Sequence, residues 1–133
     1  MEPTLSKPQQ ALLEAGVNRF DEARYWDAHE EWEDLWKQLK SGECELRYVL
    51  ALQGLIQCAA LLHQYQRKNL RGVANMWDKC TSKLGLPSAT SFDTLWGLEV
   101  DRLIEELQVF AIAAADEEWS LQLNQIKINH SWS

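Results

Sequence analysis

Apolar residues recur at helical spacing through most of this chain, and the polar positions between them mark where one helix stops and the next begins. From about Pro8 to Phe20, Leu12, Leu13, Val17 and Phe20 fall on one face, and Pro8 suits a first helical turn. A second segment, about Tyr25 to Leu39, sets Tyr25, Trp32, Trp36 and Leu39 on one stripe. Ser41-Gly42 then ends it with a residue that tolerates left-handed backbone angles. The short link between the two segments predicts an antiparallel hairpin.

From Glu45 to about Gln66 the chain is apolar nearly all round, which predicts a central helix with neighbours on several sides. Its length and polar flanks read as unsuited to a membrane span. Asn69 is placed to cap a fourth helix reaching about Leu84, with Gly72 allowing close approach and Gly85 and Pro87 stopping it. Ser88 to Ser91 reads as a loop. A fifth helix, about Val100 to Ala115, carries Leu103, Ile104, Leu107, Val109, Phe110 and Ile112, with Glu99 or Asp101 near its start to favour the dipole. Beyond Trp119 the apolar residues keep no clear period, so the tail is expected to lie extended over the bundle or to fray. The fold class expected is therefore all-α: about five helices packed as antiparallel hairpins around a central apolar helix. One domain is expected over residues 1–133, with a core from about 8 to 115 and a C-terminal tail over 116–133.

Composition narrows the classes of partner. The net charge of −7 would repel nucleic acid and anionic membranes, and the basic residues read as scattered among acidic ones, so neither is expected as a partner. Cys44, Cys58 and Cys80 are odd in number and widely spaced, as free thiols in a reducing compartment would be. Met1 to Lys7 is polar and lacks the apolar stretch of a secretory signal, which points to the cytoplasm.

Candidate chemistry concentrates on the second helix. At about 100° per residue, His29, Glu33 and Trp36 share roughly a 60° arc. A histidine and a carboxylate four residues apart can bind one metal ion, or the carboxylate can orient the imidazole. In the central helix, Gln53 and Gln57, with Gln64 further on, interrupt an apolar segment, and a buried amide left unpaired costs about 1–3 kcal/mol. The arrangement that satisfies them best turns this ladder toward His29 and Glu33 across the hairpin. Arg47 is then a candidate counter-charge for Glu33, and His63 a candidate third metal ligand. A histidine on an apolar stripe is nonetheless more often a hydrogen-bonded core residue than a ligand, and H-E-x-x-E at His29 to Glu33 supplies one imidazole where H-E-x-x-H supplies two.

The stretch Phe20 to Trp36 resembles the signature of a bacterial and archaeal family, the domain of unknown function 309. In that signature a His is followed by three residues, a Glu, two residues and a Trp or Tyr, matched here by His29, Glu33 and Trp36. The likeness continues through Arg47, Leu52-Gln53-Gly54-Leu55-Ile56-Gln57, His63, Asn69 and Gly72, covering roughly residues 10–85. Val73 stands where an Ala commonly follows the Gly, and the tail after Ala115 has no counterpart. The resemblance implies packed antiparallel helical hairpins and a metal-binding role for the His and Glu, with no reaction attached.

Two functions of different class follow. In the first, His29 and Glu33, with Gln53, Gln57 and His63 and flanked by Glu30, Trp36 and Arg47, bind a divalent metal ion or a small polar ligand; with a metal bound, Glu30 or Glu33 could serve as a general base. In the second, the polar cluster only fixes helix register, and exposed aromatics such as Trp26, Trp119 and Trp132 recruit a protein partner or a second copy.

Overall fold

The computed structural model describes residues 2–132. Five α-helices account for most of them: α1 (Lys7–Asp21), α2 (Tyr25–Ser41), α3 (Leu46–Gln66), α4 (Leu70–Leu84) and α5 (Val100–Ala115). Links of three, four and three residues join α1 to α4 in sequence, so consecutive helices fold back on one another as hairpins. α3 lies between α2 and α4, α1 packs on α2, and α5 on α4.

Local chemistry sets the helix ends. Ser6 Oγ accepts from Gln9 N while Gln9 Oε1 accepts from Ser6 N, a capping box that spans Pro8. Asn69 Oδ1 caps α4 by accepting from Gly72 N at 3.0 Å. Three helices stop at a residue with left-handed backbone that is not glycine: Ala23 (φ 61°), Lys68 (φ 54°) and Glu117 (φ 55°). Each closes a Schellman pair of hydrogen bonds, Arg24 N to Arg19 O with Ala23 N to Phe20 O being the first. Gly42, expected to end α2 in a left-handed conformation, has φ −95° instead, which any residue can adopt.

α3 is the core helix, with twelve buried residues drawn from all sides. At 21 residues it does have the length and apolarity of a membrane span, contrary to the expectation from length; what marks it as a core helix is that 61% of its apolar window is buried by neighbours. Gly54 lets α4 come close, since a Cβ there would meet Leu84 Cγ at 2.7 Å. Gly72 does the same over Gln64, at 2.6 Å from Oε1. Trp32, Tyr25 and Phe20 are the largest fully buried side chains, and Phe20 meets Tyr25 edge-on at 5.2 Å.

Two small hairpins replace the plain loop expected after α4: β1 (Gly85–Leu86) pairs with β2 (Ala89–Thr90), and β3 (Thr94–Leu95) with β4 (Leu98–Glu99). Trp96 (φ 47°) and Gly97 (φ 83°) both take positive φ, as a two-residue type I′ turn requires. The C-terminal segment lies extended over the bundle. Ile126 and Ile128 are buried, Tyr25 Oη donates to Leu123 O, Ile128 N donates to Asp21 Oδ1 at 2.9 Å, and His130 bridges Leu98. Packing there follows contacts to other elements, which a search for periodicity does not detect.

Candidate functional site

α2 presents His29, Glu33 and Trp36 toward α3, which presents Gln53, Ile56, Gln57 and Ala60; Met76 of α4 closes the far side. Together they line a half-open cavity of about 230 Å³. His29 Nε2 lies 3.2 Å from Glu33 Oε2, and Glu33 Oε1 lies 3.4 Å from Lys37 Nζ. With its proton on Nε2, the nitrogen beside the carboxylate, a neutral imidazole leaves Nδ1 as a lone-pair acceptor.

That acceptor has no partner. His29 Nδ1, Trp36 Nε1 and Gln57 Oε1 are each shut off from solvent without a hydrogen bond, and they are three of the four such side-chain atoms among the described residues. All three belong to residues that wall this one cavity. An unpaired buried donor or acceptor costs about 1–3 kcal/mol, so their concentration here is an unmet demand for two donors and one acceptor. Rotations of these side chains would turn the atoms from the wall into the space they line.

Outside the cavity, the Trp26 ring stacks on His29 at 4.8 Å and 19°, and 54% of Trp26 remains exposed. Glu30 belongs to this outer face, where it lines a second hollow of about 220 Å³ with Trp26, Asp34 and Lys37; His29 and Glu33 are the wall between the two spaces. His63 approaches from α3 but meets Trp26, 5.3 Å between rings, and does not line the cavity. Burial, and after it the charges of Arg67 and His29, push the His63 pKa below its usual value.

Other expected members fall elsewhere. Arg47 is not the counter-charge of Glu33: its guanidinium lies over Tyr48 at 5.0 Å and Phe92 at 5.1 Å, while Glu33 is taken by His29 and Lys37. Gln64 leaves the ladder to accept from Asn69 Nδ2 at 2.9 Å. Of the three aromatics expected at an association surface, only Trp26 is largely exposed; Trp119 packs on Tyr65 at 5.2 Å, and Trp132 donates to Trp96 O at 3.0 Å. The basic residues are also less scattered than the sequence suggested, since Arg67, Lys68 and Arg71 share one surface hollow at the start of α4. Among the described residues, no group of three or more His, Cys, Asp and Glu side chains is placed to hold a metal ion. The polar residues that line the cavity are His29, Glu33, Gln53 and Gln57 beside the Trp36 indole, whose N–H cannot ligate; Glu33 is the one carboxylate among them and is already taken by His29 and Lys37. Met76 and the indole nitrogen of Trp36 are the lining features that sequence reasoning missed. No period marks a methionine on the next helix as part of the same space.

The sequence profile of a domain of unknown function (DUF309) matches residues 13–76. Over this segment the chain is similar to the DUF309 family. Every residue that lines the cavity, from His29 to Met76, falls within the DUF309 match, whereas the two hairpins, α5 and the C-terminal segment lie outside it. No curated protein and no solved structure matches the chain.

Proposed function

We propose that the cavity between α2, α3 and α4 binds a small polar molecule bearing a primary carboxamide or ureido group. The carrying observation is that three unpartnered buried polar atoms belong to residues lining one space. Nδ1 of His29 and Oε1 of Gln57 call for two N–H donors, and the Trp36 indole N–H calls for one acceptor. A carboxamide or urea offers that pattern on a single planar group small enough for about 230 Å³. Glu33 serves by fixing the imidazole tautomer, and in that state His29 can also accept a proton from a bound molecule.

A divalent metal would gain at most His29 Nδ1 and Gln57 Oε1 from the cavity side, and Glu33 would have to leave His29 and Lys37 to join them. Nuclear magnetic resonance distinguishes the two readings. Titration of the full chain with propanamide and with methylurea should shift the Trp36 indole cross-peak, assigned through Trp36→Phe, and the His29 Nδ1 signal. Propanoate should leave both unmoved. Stoichiometric zinc titrating His29 Nδ1 while the amides do nothing would replace the polar ligand with a metal. Silence of Trp36 and His29 toward every probe would remove the ligand reading altogether.

A further inference from the structure

The fourth unpartnered atom lies on α5, outside the His29 cavity. Glu106, on α5, has one carboxylate oxygen, Oε1, 3.5 Å from Arg102 Nε, while its other oxygen, Oε2, has neither solvent nor a hydrogen-bond partner. The carboxylate lines a groove of about 390 Å³ between α5 and the C-terminal segment. Val109 and Phe110 form one wall of it; Leu121 and Ile126 form the other. None of these residues belongs to the DUF309 segment or to the His29 cavity.

The Glu106 side chain is 35% exposed, so its charge is partly solvated, and Oε2 alone is left without a donor. The Arg102 contact is long and more than half exposed, so it neutralises little of that charge. Beside the acid, Val109, Phe110, Leu121 and Ile126 give the groove an apolar surface, interrupted by Ser120, Gln122 and Gln125, and Val109 is left 54% exposed. A metal ion would find a single carboxylate there, with only the neutral side chains of Ser120, Gln122 and Gln125 beside it. A cation that brings its own apolar body satisfies both halves. The volume is in the range of small-molecule sites, and a chain of net charge −7 attracts cations from solution.

We propose that the groove between α5 and the C-terminal segment binds an organic monocation: a primary ammonium paired with Glu106, carried on an apolar body seated against Val109, Phe110, Leu121 and Ile126. The carboxylate's terminal torsion is broad and two-fold, so its rotation can offer either oxygen to the ammonium.

Calorimetric titration of the full chain with 2-phenylethylammonium tests this, with 2-phenylethanol and 3-phenylpropanoate as neutral and anionic counterparts of similar shape. The ammonium should saturate one site and bind at least about tenfold more tightly than the alcohol. Glu106→Gln should erase that preference, and Val109→Trp, at an exposed position, should block the groove without unfolding the chain. Arg102→Gln removes the competing cation and should tighten binding, a readout independent of whether Glu106→Gln folds. Equal binding of alcohol and ammonium, no saturable ammonium site, unchanged binding in Val109→Trp, or weaker binding in Arg102→Gln would each overturn the proposal.

Discussion

The Trp32 indole fills the space that a Cβ on Gly16 would need, and its Nε1–H donates to Leu13 O at 3.1 Å one turn earlier on the same helix. α1 and α2 are therefore locked by a single large ring against a bare backbone. Gly16→Ala gains helix propensity but must push that ring aside. A net loss of about 1–3 kcal/mol is expected in urea unfolding, because overpacking at a sealed contact outweighs the smaller propensity gain.

Ala23 occupies a left-handed position, φ 61°, in the link between α1 and α2. An alanine there bears a steric cost that glycine does not, partly offset by the entropy glycine loses on folding. Ala23→Gly should raise stability by about 0.5–1 kcal/mol, seen as a higher urea midpoint with an unchanged slope.

Gln57 separates a binding role from a folding role. If its amide served only to tie helices together, Gln57→Leu would destabilise the chain. Since Oε1 has no partner, Gln57→Leu is expected instead to raise the stability of the free protein by about 1 kcal/mol and to abolish the response of Trp36 to propanamide. A lowered melting temperature would count against the cavity as a ligand site.

Asp21 predicts the pH dependence. Burial pushes its carboxyl pKa up, against the hydrogen bond from Ile128 N and the charges of Lys127 and His130, which pull it down. With the folded value above the unfolded one near 3.8, its stabilising contribution is full below that pH and is lost as pH rises through the folded value. Asp21→Asn keeps an acceptor for Ile128 N at no ionisation cost. Its stability relative to the parent should therefore grow as pH rises from about 4 and then level off, as followed by denaturation midpoints across pH.

The five helices could be read in advance because each carries its own apolar face, and α3 announced itself by having no polar one. The stops of α1, α3 and α5 could not, since Ala23, Lys68 and Glu117 take a conformation for which a reader looks for glycine. Spacing put His29, Glu33 and Trp36 on one face because all three sit on one helix. It could bring Gln53 and Gln57 opposite them because the hairpin is short. It could not place Arg47, whose direction is decided by Phe92 from a later segment, or Met76, which reaches the cavity from α4. Glu106 escaped notice for the same reason: an ordinary acid on an exposed-looking helix face becomes unusual only when residues 120 to 126 fold over it.

Trp96 is where the two ends of the described chain come together. Its backbone N–H and indole N–H donate to Glu2 Oε2 and Pro3 O, and its carbonyl accepts from Trp132 Nε1. In space the polypeptide is nearly a closed loop, so its order along the sequence can be rearranged without moving its helices. A few glycines joining the termini, with a new opening at the exposed turn Gly42-Glu43, would give a circular permutant in which α3 comes first and the His29 cavity is assembled from opposite ends of the chain.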